Sequence, residues 1–167
     1  IAAASKPGQY VQVRIPNLEA TALRRPFSIC GAEDGILTIL YKQVGRGTFA
    51  MGDLQVGKKV NILGPLGDCG FPLCDSATTP LLIGGGFGVA PLLFLAKQLP
   101  QKGVLFVGGR TADDILITEE FEKIGWEVQL CRNDGSIGTK GFVTAAIDAW
   151  LEAHPDTRAE MYACGSE

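Results

Sequence analysis

Gly84-Gly-Gly-Phe-Gly-Val-Ala-Pro91 decides the reading of this chain, because of what stands on either side of it. The short apolar run Pro80-Leu-Leu-Ile83 precedes it, and Ala90 to Leu99 has helical character. Strand, glycine-rich turn and helix in that order suit a phosphate-bearing ligand. The glycines let the ligand approach the backbone, and the helix N-terminus offers free N–H groups and a positive dipole end. The spacing is not that of the dinucleotide fingerprint. From Gly86 it reads G-x-G-x-x-P, with Pro91 where a third glycine would stand. Proline is tolerated in the first turn of a helix and not in its interior. The helix is therefore predicted to begin near Val89 or Ala90, with the glycines forming the loop before it.

Downstream, the rhythm of strand and helix continues. Gly103–Val107 is an apolar run, followed by a predicted helix around Ile115 to Ile124. Glu127–Cys131 reads as a third strand, Val143–Glu152 as a third helix and Glu160–Cys164 as a fourth strand. That alternation predicts a doubly wound parallel sheet. Upstream the texture differs. Tyr10–Ile15 alternates as a half-buried strand does and is ended by Pro16-Asn17; Leu37–Tyr41 follows an Asp34-Gly35 turn; Lys59–Leu63 is stopped by Gly64-Pro65. Short strands separated by turns predict a small barrel or sandwich. Asp75–Thr79 is the natural boundary, giving domains over 1–76 and 77–167.

Composition narrows the function. A chain of 167 residues can hold one large core or two small ones. A net charge of -3 gives no reason to expect nucleic acid or an anionic membrane surface as partner. No apolar run approaches the roughly 18 residues a membrane span needs, and the N-terminus lacks a signal-peptide pattern. The 5 cysteines are odd in number and irregularly spaced, which argues for reduced thiols in a cytoplasmic protein. Cys69 and Cys74 have the spacing of the first pair in a plant-type iron–sulfur loop, but the third cysteine is missing. No metal site is expected within this chain.

A second constellation is Arg24-Arg-Pro-Phe-Ser28. Arg25 can hold a diphosphate through a bidentate fork, Phe27 offers a face to a ring system, and the Ser28 hydroxyl can donate and accept. Other chemically suggestive residues have plainer readings. His154 lies in a polar stretch after a helix and reads as a surface residue. Asp113, Asp114, Glu119 and Glu120 suit the solvated start of a helix, and Trp126 and Trp150 read as packing residues.

Taken together, these stretches show a resemblance. Arg25-Pro-Phe-Ser28 resembles the R-x-Y-S flavin motif of the ferredoxin–NADP reductase superfamily, with Phe27 in place of the tyrosine. Gly86-Phe-Gly-Val-Ala-Pro91 resembles its nicotinamide-nucleotide loop, and Cys164-Gly165 the first half of its C-G-x-x motif. Arg24–Ile29, Gly64-Pro-Leu-Gly67 and Asn133-Asp-Gly-Ser-Ile-Gly-Thr-Lys-Gly-Phe-Val-Thr144 look more closely like the electron-transfer subunits of type B dihydroorotate dehydrogenases.

The resemblance implies an antiparallel Greek-key FAD-binding β-barrel followed by a doubly wound NAD(P)-binding α/β domain. Arg25, Pro26, Phe27 and Ser28 would line the FAD, with Arg25 on its diphosphate and Ser28 near N5. Leu40, Tyr41 and Lys42 would make a second strand contact, and Gly47 and Thr48 would meet the diphosphate at a turn. Gly86, Gly88 and Pro91 would shape the nucleotide loop. Ser28 and Cys164 would stand beside the reacting atoms. NADH is the implied nucleotide and NADPH a possible one: Arg110 suits a 2′-phosphate, while the acidic pair beside it favours NADH.

It further implies hydride transfer between nicotinamide and FAD, and a catalytic subunit that oxidises dihydroorotate in pyrimidine biosynthesis as hetero-oligomeric partner. A [2Fe-2S] cluster would be carried by the full-length protein only. The chain reads as a fragment, beginning after the barrel's first strands and stopping before the cluster segment. Rival readings are the small subunit of a ferredoxin:NADP oxidoreductase or sulfide dehydrogenase, and a nucleotide-binding fragment without activity.

Overall fold

The computed structural model describes residues 1–16, 23–68, 70–109, 111–132 and 138–165. Cys69, Arg110 and the Asn133–Ile137 part of the motif named above lie outside the described residues.

Alternation of apolar residues builds the first half. Val11 and Val13 turn inward from β1 (Tyr10–Arg14) and are buried together with Ile29 of β2 (Arg25–Glu33). Asp34 (φ 51) and Gly35 (φ 79) supply the two left-handed residues of a tight hairpin into β3 (Ile36–Ile39), with Glu33 opposite Ile36. The fourth strand, β4 (Asn61–Leu66), returns to pair antiparallel with β1. The order β3-β2-β1-β4, antiparallel throughout, is a Greek key.

Three details depart from the sequence reading. β4 runs through Gly64-Pro65 rather than stopping there. Among the described residues it is an edge strand paired with β1 alone, where a prolyl nitrogen has no ladder bond to donate. β3 ends at Ile39, so Leu40, Tyr41 and Lys42 follow the strand instead of lying on it. Gly47 and Thr48 sit in the first turn of a short helix, α1 (Arg46–Gly52), and not in a bare turn. The Thr48 hydroxyl accepts hydrogen bonds from the N–H groups of Val44 (2.9 Å) and Gly45 (3.1 Å), which caps that helix.

The second half contains β5 (Thr79–Gly85), α2 (Val89–Gln98), β6 (Val104–Gly109), α3 (Thr118–Lys123), β7 (Glu127–Arg132), β8 (Thr139–Lys140), α4 (Val143–Ala153) and β9 (Ala159–Cys164). The strands are parallel in the order β8-β7-β6-β5-β9. Leu82, Leu105, Val107 and Tyr162 face α2 and α3 with Phe121 and Trp126; Leu81, Val104, Phe106 and Cys131 face Ala146 and Ile147 of α4. Helices thus cover both faces, and each fully buried leucine contributes about 1.5–3 kcal/mol. α3 is shorter than anticipated. Asp113 and Asp114 belong to a separate 3-10 turn, and Ile117 adopts a left-handed φ of 48 before the helix begins. The two-residue β8 was not anticipated. His154 is exposed; its ring stacks on Trp150 at 4.2 Å and Nδ1 donates to the Trp150 carbonyl at 2.7 Å.

The connection between the halves is tied down. The Asp75 carboxylate accepts bonds from the Thr78 hydroxyl (2.7 Å) and the Ala77 N–H (3.0 Å), and Arg158 reaches it at 3.2 Å. Those partners, the Thr78 hydroxyl first, hold the Asp75 carboxyl below its usual range. The Tyr162 hydroxyl accepts from the Cys74 N–H at 3.0 Å, and Phe71 meets the Tyr162 ring edge-on. α2 lies against β2, and Lys97 Nζ donates to Glu33 at 2.7 Å across the junction.

Candidate functional site

Two grooves flank the start of α2. The first is about 360 Å3 and opens between the antiparallel sheet and the helix. It is lined by Arg25, Pro26, Phe27, Ser28, Leu40, Tyr41, Lys42 and Thr48, together with Val44, Phe87 and Ala90. Register explains why the motif converges there. β1 pairs Val13 with Arg25, Val11 with Phe27 and Tyr10 with Ser28, which fixes the motif as one straight strand segment. Phe27 backs onto the buried Val11, Val13 and Ile29, and its ring meets Tyr41 edge-to-face at 5.9 Å. The groove therefore has an aromatic wall. The Ser28 side chain is exposed to it, and the Arg25 guanidinium makes only a long 3.5 Å bond to the Leu23 carbonyl among the described residues.

Gly47 does not line this groove. It is buried behind Arg25, where a Cβ would meet Arg25 Nε at 3.4 Å and Ile15 Cδ1 at 3.0 Å. Its missing side chain is what lets the arginine lie across α1. Thr48 does line the groove, but its hydroxyl is already engaged by the Val44 and Gly45 backbone. The arrangement fits a flavin dinucleotide: a cation with donors to spare among the described residues, an aromatic wall and an exposed hydroxyl in one groove.

The second groove, about 520 Å3, lies at the C-terminal ends of the parallel strands and is lined by Ile83, Gly84, Gly85, Gly108, Val143, Ala163, Cys164 and Gly165. β5 is the strand at which the chain order reverses, with β6 on one side and β9 on the other. Ligands of open α/β sheets bind at that switch point. Gly84 pairs with both Val107 and Cys164, and Gly85 with Gly108. The floor is thus nearly bare backbone, which a nucleotide can approach closely.

Gly86, Gly88 and Pro91 do not line either groove; they shape what separates the two. Gly86 holds φ 52 and begins a 3-10 turn, Gly86–Gly88, that leads directly into α2. The glycines are thus a helical turn rather than an open loop. A Cβ on Gly88 would collide with the Cys164 carbonyl, so this glycine lets the turn rest on the end of β9. Pro91 is buried in the first turn of α2. Cys164 is partly buried, and desolvation pushes its thiol above the ordinary range. Sequence reasoning missed Phe87 and Ala90 as walls of the first groove and Gly108 and Val143 as walls of the second. Gly108-Gly109 at the end of an apolar strand was the available signal. Among the described residues, no three His, Cys, Asp or Glu side chains stand together as a metal site, and no helix is long and apolar enough to cross a membrane.

Known proteins share this fold. A family model described as the oxidoreductase NAD-binding domain matches residues 82–167. The electron transfer subunits of dihydroorotate dehydrogenase B (NAD(+)) from Fusobacterium nucleatum and Bacillus caldolyticus are 38% and 42% identical, over 95% and 96% of this chain. The chain spans 63% of the length of each relative. An NADH-dependent reduced ferredoxin-NADP oxidoreductase structure superposes with a TM-score of 0.78 at 26% identity, covering 99% of this chain and 59% of that one. A ferredoxin-NADP+ reductase from Plasmodium falciparum gives 0.70 at 18% identity, covering 98% and 74%, a likeness of fold alone.

Proposed function

The chain belongs to the oxidoreductase NAD-binding domain family, and from that membership we propose that it moves electrons between a nicotinamide nucleotide and a flavin, as part of an electron-transfer subunit serving dihydroorotate oxidation. The observation that carries the reading is that the residues of the flavin-like motif, Phe87 of the glycine turn and Ala90 of α2 wall one groove. Gly84 and Gly85, just before the turn that supplies Phe87 to it, line a second groove of nearly bare backbone at the sheet's switch point.

FAD, when bound, supplies the hydride acceptor and the means of passing electrons on singly. Arg25 holds the diphosphate by charge and fork geometry. Phe27 and Tyr41 exclude water from the ring system, and Ser28 offers its hydroxyl at the ring edge. Gly47 and Thr48 act one layer back, by making room for Arg25 and by fixing the start of α1. Leu40 and Lys42 complete the wall, Leu40 by packing and Lys42 as a second cation. Gly86, Gly88 and Pro91 hold the turn between the grooves. Cys164, a neutral thiol of small bulk, borders the nicotinamide without acting as a base or nucleophile. NADH is the proposed nucleotide.

The catalytic subunit as partner, the [2Fe-2S] cluster of the full-length protein and a cytoplasmic location belong to the same proposal. The partner is supported by the dihydroorotate dehydrogenase B electron transfer subunits among the relatives, while the cluster and the location rest on the resemblance in sequence. The test is the visible spectrum of the purified full-length protein before and after anaerobic addition of NADH, with NADPH in parallel. A flavin spectrum that bleaches, faster with NADH, is the expected result. A protein that takes up no FAD, or holds FAD that neither nucleotide reduces, refutes the reading.

A further inference from the structure

Phe94 sits in the wrong half of the molecule for its place in sequence. It belongs to α2, and its neighbours Leu92, Leu93, Leu95 and Ala96 all pack in the core between α2, α3 and the parallel sheet. Phe94 instead is buried, 2% exposed, in the core of the antiparallel sheet with Val11, Val13 and Ile29. The exchange is mutual, because Cys30 of β2 is buried in the α2 core. The cluster that holds Phe94 is also the one on which Phe27 of the flavin groove rests. Five residues earlier the same helix begins, with Ala90 in the wall of the flavin groove and the glycine turn beside the nucleotide groove.

We propose that Phe94 is the positioning residue that sets the spacing between the two grooves. A rigid helix bolted at Phe94 into one core, while its other side chains are held in the second core, transmits the placement of one groove to the other. The inference rests on the functional reading above and names the residue that enforces the geometry it needs. Hydride transfer is steep in distance, and a displacement of about 1 Å can cost about a hundredfold in rate. Truncation at Phe94 is therefore expected to slow transfer without weakening either ligand's own contacts.

The experiment compares wild type, Phe94→Ala, Phe94→Leu and a control, Val104→Ala, which trims the α4-side core, all in the full-length protein. Amide hydrogen exchange on the flavin-free forms is the first readout. Phe94→Ala should speed exchange in both α2 and β2, and Val104→Ala in neither. The second is stopped-flow reduction of the flavin-loaded forms at saturating NADH. Phe94→Ala should be at least tenfold slower, with nucleotide Kd within about threefold of wild type. It should also show a larger isotope effect with nicotinamide deuterated at C4, and Phe94→Leu should fall between Phe94→Ala and wild type. If Phe94→Ala fails to keep flavin, Phe94→Leu carries the comparison, with an expected slowing of at least twofold. Equal rates and equal isotope effects in wild type and the retained variant overturn the positioning role alone. A wild type that no nucleotide reduces overturns the functional reading, and the positioning role with it.

Discussion

Gly88→Ala isolates the contact on which the nucleotide groove depends. The added methyl would overlap the Cys164 carbonyl group and stand 2.7 Å from the Gly165 nitrogen, inside the 3.0 Å limit that real Cβ atoms respect. Both neighbours are backbone, so no side chain can rotate away, and either the turn or the end of β9 must move. Overpacking of this kind costs about 1–3 kcal/mol. For a protein of this size, each kcal/mol lowers Tm by roughly 2–4 °C. The cost alone does not identify the contact, so a matched control is needed. Gly103→Ala drives a methyl into the Pro80 carbonyl, again backbone, but at the opposite end of β6. Both variants should lose stability to a similar degree in a thermal melt. Only Gly88→Ala should weaken nucleotide binding, by tenfold or more in a titration, because the displaced segment carries Cys164 and Gly165 of the groove. A Gly88→Ala protein that binds nucleotide like wild type, or a Gly103→Ala protein that loses affinity equally, refutes the reasoning.

Three further outcomes follow from the same geometry. Arg25→Met removes charge-assisted bonds worth about 1.5–3 kcal/mol and should weaken flavin roughly ten- to hundredfold; Arg25→Lys, which keeps the charge and loses the fork, should fall between, and a Met variant that retains flavin like wild type counts against the assignment. The Asp75 carboxyl is held low in the fold by the Thr78 hydroxyl, the Ala77 N–H and Arg158, so its stabilisation is present above the unfolded carboxylate range and is lost as pH falls through the folded pKa. Tm should therefore drop more steeply below about pH 4 in wild type than in Asp75→Asn; parallel acid limbs would contradict this. Burial pushes the Cys164 thiol up, so alkylation of native Cys164 at neutral pH should be slower than in the urea-unfolded chain, and Cys164→Ala should retain transfer within about tenfold; rapid alkylation would point to a thiolate role.

Much of this architecture was legible in sequence because local chemistry and tertiary structure agree. Pro91 places the helix start near Val89 or Ala90, and α2 begins at Val89. Asp34-Gly35 forms the hairpin that such a pair favours. The apolar runs became the central strands because their apolar side chains pack on both faces, against α2 and α3 on one and α4 on the other. What was misread depended on partners far away in sequence. Nothing local to Lys59–Leu66 says that this strand lies at a sheet edge, so Gly64-Pro65 read as a stop. Gly47 and Thr48, placed at a turn by the resemblance, stand in a helix instead, because the Thr48 hydroxyl that organises it bonds backward to residues 44 and 45. The motif residues line one groove together, while Phe87 reads in sequence only as a spacer between glycines. Its role depends on which side of the turn the antiparallel sheet packs.

The titrating groups the fold perturbs suggest what kind of site this is. Burial pushes the thiols of Cys30 and Cys131 and the Tyr162 phenol up, toward their neutral forms, inside the cores. Glu120 and Lys123 hold each other charged on the outer face of α3, and Asp75 is held charged at the junction. Those three stand in neither groove, and Cys164 is kept neutral where it lines one. A site that moved protons would be expected to place a group tuned toward the working pH against its substrate. Here the two grooves offer backbone, aromatic faces and fixed cations, and the effort of the fold goes into the helix between them. That division suits a reaction whose electron chemistry belongs to the bound groups and whose rate is governed by their separation. It also accounts for a bulky aromatic at position 94, where a residue confined to its own core would leave the two grooves free to drift apart.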